Sequence, residues 1–258
     1  MLLVMDVGNT ITVIGLYEGS TLRAHWRSMT GNYRTSDELR VFLTSLLRAE
    51  GLEPGAVNGC CVSSVVPPLN TALADLCTHH FRAEVVFVEP GVKTGLVIQV
   101  DNPKEVGADR IVNAVGALED HPGPLIVIDF GTATTFDAIT ARGEYKGGVI
   151  VPGIKTGADA LCEKCAKLPS VEITTPPHVI GKNTIDHIRS GLTYGYADLV
   201  DGLIQRMAAE MGDKPLVLAT GGFAELVAGI ASRIDHVDPY LTLKGLRAVF
   251  LKNRKGAA

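Results

Sequence analysis

Apolar runs and the residues that break them divide the chain into short strands and amphipathic helices in a repeating order. Leu2 to Met5 and Ile11 to Tyr17 are apolar segments joined through a turn at Gly8, and Glu18-Gly19 follows, which predicts a hairpin. A third strand over Leu22 to Ser28 makes it a meander. Thr35-Ser36-Asp37-Glu38 stands before Leu39, Phe42, Leu43, Leu46 and Leu47. A hydroxyl with Glu three residues on, then apolar residues at helical spacing, predicts a capped helix that ends at Gly51. Val57 to Val66 reads as a buried strand closed by Pro67-Pro68, Leu69 to His80 as a helix, and Val85 to Val88 as a strand. Ile111, Val112, Val115 and Leu118 share one face of a further helix.

The second half repeats this order. Strands are expected over Leu125 to Asp129, Thr134 to Thr140 and Tyr145 to Val151, with Arg142-Gly143-Glu144 as a turn. Helices follow over Lys155 to Cys165 and Thr184 to Met211, the latter with Ile185, Ile188, Leu192, Leu199, Leu203 and Met207 as its apolar positions. Leu216 to Thr220 is a last buried strand, closed by Gly221-Gly222, and a helix begins near Ala224. One phrase occurs in both halves: Leu3-Val4-Met5-Asp6-Val7-Gly8-Asn9-Thr10 and Ile126-Val127-Ile128-Asp129-Phe130-Gly131-Thr132-Ala133. In each copy a buried strand delivers a carboxylate to its end, and a glycine turn exposes backbone N–H groups to an anion. The expected fold is α/β and duplicated, with two lobes over residues 1–118 and 119–258 and a cleft between them. The last helix is free to cross back to the first lobe.

Composition narrows the classes. With 258 residues and 46% apolar content, the chain can bury a large core. A formal charge of −4 lacks the basic footprint of sequence-independent nucleic-acid binding, so no nucleic-acid partner is expected. Met1 to Met5 is too short for a signal segment, and no apolar stretch approaches a membrane span, so a soluble cytoplasmic protein is expected. The cysteines are Cys60, Cys61, Cys77, Cys162 and Cys165, an odd set read as reduced thiols. Cys162-x-x-Cys165 with Cys77-Thr78-His79-His80 could be read as zinc ligands, but the fragments lack the paired spacing of zinc modules. Lys244, Arg247, Lys252, Arg254 and Lys255 form a basic tail, read as a solvated helix end.

Carboxylates at strand ends beside glycine turns suit phosphoryl transfer, which needs phosphate-cradling amides, a divalent metal and a base that orients the acceptor hydroxyl. On the residues alone, Asp6 and Asp129 would both hold the divalent metal, with Gly8, Asn9 and Thr10 on phosphate. Thr220-Gly221-Gly222 is a third such turn, open to a nucleotide base or ribose. Asp109, in Asn102-Pro103-Lys104-Glu105-Val106-Gly107-Ala108-Asp109-Arg110, precedes the helix of Ile111 and Val112. It reads either as a helix cap or as the base, with Arg110 and the helix N-terminus drawing an anionic substrate. Thr184 or Asn183 caps the long helix.

These segments resemble the type III pantothenate kinases, relatives of actin, the seventy-kilodalton heat-shock chaperones and sugar kinases. The resemblance rests on Asp6-Val7-Gly8-Asn9-Thr10, Thr35-Ser36-Asp37-Glu38, Ser63-Ser64-Val65-Val66-Pro67, Asp101-Asn102-Pro103 and Glu105 to Arg110. It continues through Asp129-Phe130-Gly131-Thr132-Ala133-Thr134, Gly147-Gly148-Val149-Ile150 with Pro152-Gly153, Lys167-Leu168-Pro169 and Thr220-Gly221-Gly222. It implies a duplicated ribonuclease H-like, actin-like fold and ATP-dependent phosphorylation of pantothenate to 4′-phosphopantothenate, the first step towards coenzyme A. By the same resemblance, ATP would lie on Asp6, Val7, Gly8, Asn9, Thr10, Ile11, Thr12 and Val13, near Thr132 and Gly221-Gly222. Mg2+ would be held at Asp6 through the phosphates. Pantothenate would contact Val100, Gly107, Ala108, Asp109 and Arg110, with Asp109 as general base. Asp129 would ligate a monovalent cation, K+ or NH4+, replacing the reading that gave it to Mg2+. A homodimer is implied, with Thr184 reaching the substrate from the partner subunit.

Two departures stand out. Ile11 stands where many members carry Asn or another polar residue, and Val100 where some carry an aromatic. The first bears on nucleotide affinity and the second on pocket shape. Two rival readings keep the fold: another small-molecule kinase, which would not need Gly107-Ala108-Asp109-Arg110, and a nucleotide-binding regulatory protein accessory to transcription.

Overall fold

The computed structural model describes residues 1–31 and 34–254; Lys255 of the basic tail lies outside them. Two compact units form. One holds Met1–Leu96, Asn102–Glu119 and the chain from Leu241; the other holds Val97–Asp101 and Asp120–Tyr240.

The first unit is built on strands β1 (Leu2–Val7), β2 (Ile11–Glu18), β3 (Thr21–Met29), β4 (Gly59–Ser64) and β5 (Glu84–Phe87) in the order β3-β2-β1-β4-β5. β1 pairs antiparallel with β2 and parallel with β4. Alternation sorts the side chains of β1. Leu3, Met5 and Val7 pack into a core with Leu39, Leu43 and Leu47 of helix α1 (Ser36–Ala49) and Leu69 and Leu73 of α2 (Pro67–Asp75). Val4 enters the opposite core with Val112 and Val115 of α3 (Ala108–Asp120). Thr35 caps α1 as predicted: its hydroxyl accepts from Glu38 N–H at 3.2 Å, and Glu38 accepts the Thr35 N–H at 2.8 Å.

The second unit repeats the plan. Its strands are β6 (Val97–Ile98), β7 (Leu125–Phe130), β8 (Ala133–Ile139), β9 (Glu144–Pro152), β10 (Leu216–Gly221) and β11 (His236–Val237), ordered β11-β10-β7-β8-β9-β6. Apart from the added edge strand β6, each pairing of the first sheet has its equivalent. The irregularity in the β2–β3 ladder falls between Leu16 and Tyr17, and that in β8–β9 between Ala138 and Ile139. Counted from the residues opposite Asp6 and Asp129, Val13 and Thr135, the two irregularities occupy the same register. Helices α4 (Ile154–Lys164), α5 (Thr184–Met211) and α6 (Ala224–Ala228) belong to this unit, and Ile188, Leu192, Val200 and Ile204 bury the inner face of α5. Asn183, not Thr184, caps α5, accepting the Asp186 N–H at 2.9 Å.

Several segments differ from the pattern's expectation. Val57 to Val66 is strand only over β4, because a turn at Pro54–Ala56 precedes it and Pro67 opens α2. The helix expected to run to His80 widens into a π turn over Leu76–His80. The last helix, α7 (Leu241–Asn253), puts Leu243, Leu246 and Val249 against Val4 and Cys61. Its basic residues are engaged: Lys252 pairs with Glu119 at 2.8 Å, and Arg247 Nε donates to Gly19 O at 2.9 Å.

Candidate functional site

In the first unit Asp6 is the penultimate residue of β1, half-buried, and Asn9 and Thr10 are exposed in the turn that follows. Gly8 N–H donates to Ile11 O at 3.2 Å, closing a three-residue turn. Thr10 O accepts the Thr30 N–H at 2.9 Å, and the Thr12 and Thr30 hydroxyls lie 2.8 Å apart, so β3 braces the turn from behind. Val7 is buried, while Ile11 is 39% exposed and presents an apolar side chain beside the turn amides. In the β1–β4 ladder Asp6 stands directly beside Ser63. Ser63 is fully buried, and its hydroxyl finds no hydrogen-bond partner among the described residues.

Asp109 sits in the first turn of α3, and its carboxylate accepts the Arg110 N–H at 2.9 Å. Asp109 thus lies inside the helix, one residue past its start, rather than at the cap position, and its carboxylate is half-buried rather than enclosed. A Cβ at Gly107 would collide with Asp109 Oδ1, so glycine there is what lets the carboxylate fold over the helix mouth. Ala108 and Arg110 are likewise half-buried at that mouth.

The second unit places Asp129 at the matching point of β7, opposite Thr135 of β8 and beside Thr220 of β10. Its turn is one residue shorter and is clamped. Thr132 O accepts the Thr156 hydroxyl at 2.6 Å and the Gly153 N–H at 3.1 Å, both from the start of α4. Tyr196 Oη of α5 lies 2.7 Å from Thr134 Oγ1 and 2.9 Å from Pro152 O, tying the next residues down. Burial pushes the Tyr196 phenol above its ordinary pKa, which keeps it protonated. Gly221 closes the other side: its φ is +93°, and a Cβ there would stand 2.6 Å from Asp129 Oδ1. Gly222, by contrast, has open space around it.

Val100 lies against Gly147, whose added Cβ would meet Val100 Cγ1 at 3.7 Å. Gly147, Gly148, Lys146 and Thr140, with Met207, Glu210 and Met211 from the C-terminal end of α5, line an open cavity of about 340 Å³. Thr184 opens α5 at its other end. At about 1.5 Å per residue it stands roughly 35 Å along the helix from Met207. Val179 and Ile180, just before Thr184, are 62% and 85% exposed.

Half-buried carboxylates at strand ends, with glycine-turn amides beside them, are the donor set that hard cations and phosphate oxygens take. Among the described residues, no three or more His, Cys, Asp or Glu gather into a group that could hold a metal ion, and no helix is long and apolar enough to cross a membrane. Cys60, Cys61 and Cys77 are buried, Cys162 and Cys165 exposed, all as free thiols. Burial drives the Cys61 thiol up to about 12. The pattern analysis gave no role to Ser63, Gly153, Thr156 or Tyr196. Ser63 and Gly153 lie within motif segments, but only the ladder and the turn geometry reveal what they touch.

A family model described as type III pantothenate kinase matches residues 2–206. A type III pantothenate kinase of Anaeromyxobacter sp. (strain Fw109-5) is 54% identical over 254 residues, covering 98% of this chain and 100% of the relative. One from Myxococcus xanthus (strain DK1622) is 51% identical over 253 residues, covering 98% and 99%. Among solved structures, (R)-2-hydroxyglutaryl-CoA dehydratase component A of Acidaminococcus fermentans superposes with a TM-score of 0.57 at 17% identity, covering 99% and 98%. The inorganic polyphosphate/ATP-glucomannokinase of Arthrobacter sp. strain KM gives 0.52 at 16%, covering 98% and 99%. At such identities these two share the fold alone, the duplicated ribonuclease H-like fold of actin-like ATPases and sugar kinases.

Proposed function

The chain belongs to the type III pantothenate kinase family, and we infer from that membership that it phosphorylates pantothenate at the expense of ATP, the entry step of coenzyme A biosynthesis. The observation that carries the reading is family identity above 50% over nearly the whole chain, joined to two strand-end carboxylates in matched sheets. Work by each residue follows from the chemistry. Asp6 holds Mg2+ through the nucleotide phosphates, and the amides from Val7 to Val13 with Asn9 and Thr10 orient those phosphates. Mg2+, when bound, neutralises charge that develops on the transferred phosphoryl group. Asp109 accepts the proton of the pantothenate hydroxyl, and Arg110 with the N-terminus of α3 holds the substrate carboxylate. Gly107 keeps the approach to Asp109 open. Thr132, Gly221 and Gly222 support the nucleotide from the second unit, and the lobes expected over 1–118 and 119–258 follow the two units except that Val97–Asp101 goes with the second and the chain from Leu241 with the first.

Three finer assignments complete the reading. Asp129 takes a monovalent cation, K+ or NH4+; the clamped turn around it supports this, since a fixed carboxylate and fixed carbonyls suit a weakly hydrated ion. The enzyme works as a homodimer in the cytoplasm. The length of α5 supports the dimer: Val100 packs against Gly147 of the cavity at one end of this helix and Thr184 opens the other, and a second copy would supply Thr184. The exposed Val179 and Ile180 beside Thr184 offer apolar surface for that contact.

An ADP-release assay tests the function. Release should require pantothenate and should collapse in Asp109→Asn. Release without pantothenate, or full turnover in Asp109→Asn, would favour the other kinase or regulatory readings.

A further inference from the structure

The duplicated ladders put a hydroxyl beside each strand-end carboxylate. Ser63 accompanies Asp6 across the parallel β1–β4 pair, and Thr220 accompanies Asp129 across the parallel β7–β10 pair. Residues paired in register in a sheet project from the same face, so each hydroxyl shares its face with the carboxylate. Ser63 is the more telling of the two. It is completely buried, its hydroxyl has no hydrogen-bond partner among the described residues, and the two residues before it on β4, Cys61 and Val62, are apolar core residues. A buried hydroxyl left without a partner costs stability, and Ala, which lacks it, or the near-isosteric Cys would avoid that cost. A buried donor with no protein partner, one ladder rung from Asp6, is explained if it serves that carboxylate when ligand is bound.

We propose that Ser63 is a positioning residue for Asp6: its hydroxyl donates to the Asp6 carboxylate when that group turns to hold the metal–nucleotide complex. The proton stays on Ser63 and no bond is made or broken; the hydroxyl fixes which carboxylate oxygen faces the ligand. The inference rests on the reading of Asp6 as the magnesium-nucleotide ligand. Hydrogen bonds to charged groups are the stronger kind, so the contribution to affinity is sizeable.

Calorimetric binding of a nonhydrolysable ATP analogue with Mg2+, alongside thermal melting of the ligand-free protein, provides the test. Ser63→Ala should melt at or above the wild-type temperature and bind the magnesium complex about tenfold more weakly. Ser63→Thr should restore much of that binding. In an Asp6→Ala background, Ser63→Ala should have no further effect. Wild-type binding in Ser63→Ala, or an equal loss with and without Asp6, would overturn the proposal. A clear drop in melting temperature with unchanged binding would make Ser63 a structural residue and overturn it too. If Ser63→Ala does not fold, the near-isosteric Ser63→Cys carries the same comparison. The two readings fail separately: normal binding in Asp6→Ala removes the role of Asp6, whereas lost binding there with a silent Ser63→Ala removes only the role of Ser63.

Discussion

The turn after Asp6 and the turn after Asp129 occupy equivalent points of equivalent sheets, yet one is open and the other is clamped. The first has three residues, two of them exposed, and is braced from the end of β3 through Thr10, Thr12 and Thr30. The second has two residues, and α4, α5 and the Gly221 turn surround it. Duplication preserved the sheet order and even the position of the ladder irregularity, while the turns diverged. An open turn can admit a bulky, mobile phosphate chain. A closed one suits a small ion that must be held at fixed distances. The difference therefore teaches that the strand frame sets where a carboxylate stands, and the elements packed on the turn set what it can hold.

If both turns only bind, neither carries the proton transfer. Asp109→Asn should then lower kcat about 100-fold or more while nucleotide affinity stays near wild type. A parallel loss of nucleotide binding would make Asp109 a structural residue of the α3 mouth. Next in size is the clamp itself. Gly221→Ala forces a Cβ to within 2.6 Å of Asp129 Oδ1 at a left-handed φ, and should cost on the order of 2–3 kcal/mol in denaturant melts. Gly222→Ala, with nothing within 4 Å, should stay within about 0.5 kcal/mol. Equal effects at the two glycines would mean that the turn is not clamped as described.

Thr156→Ala removes the hydroxyl that holds Thr132 O at 2.6 Å, and should cost about 1 kcal/mol. Cation response should weaken more than stability does. The smallest effect lies in the open turn's own unit, away from the turn. The Thr35 amide, then the Thr35 hydroxyl, hold the Glu38 carboxyl below its ordinary value. Its contribution is therefore full above that ordinary value and fades as pH falls through the lowered one. Glu38→Gln should melt slightly below wild type at neutral pH, and the gap should close in acid. A gap that widens in acid would reverse the assigned direction.

Much of this was legible in the sequence. The twofold Asp-x-Gly phrase, read with strand–turn–strand spacing, predicted the duplicated meanders, because alternation and glycine turns are local signals. Capping at Thr35 was legible for the same reason. The end of β4, the widened turn at Leu76–His80 and the edge strand β6 were not, since packing rather than local pattern decides them. Among the candidate site residues, Asp6, Asp109 and Asp129 announced themselves as carboxylates in unusual contexts. Ser63 did not: a serine in an apolar strand has no signature until the ladder sets it beside Asp6. Thr156 and Tyr196 are likewise distant in sequence from the turn that they hold. Thr184 showed only as a helix start, and its proposed reach to a partner's substrate rests on the length of α5.

Division of labour between the two turns is tested most directly by steady-state ADP release, titrating Mg2+ and exchanging K+ for Na+ in wild type, Asp6→Asn and Asp129→Asn. The wild-type enzyme should lose most of its rate in Na+. Asp6→Asn should shift the Mg2+ dependence while keeping the K+ response, and Asp129→Asn should lose the K+ response at an unchanged Mg2+ dependence. A full rate in Na+ for the wild type, or the same ion shifted by both variants, would contradict the account.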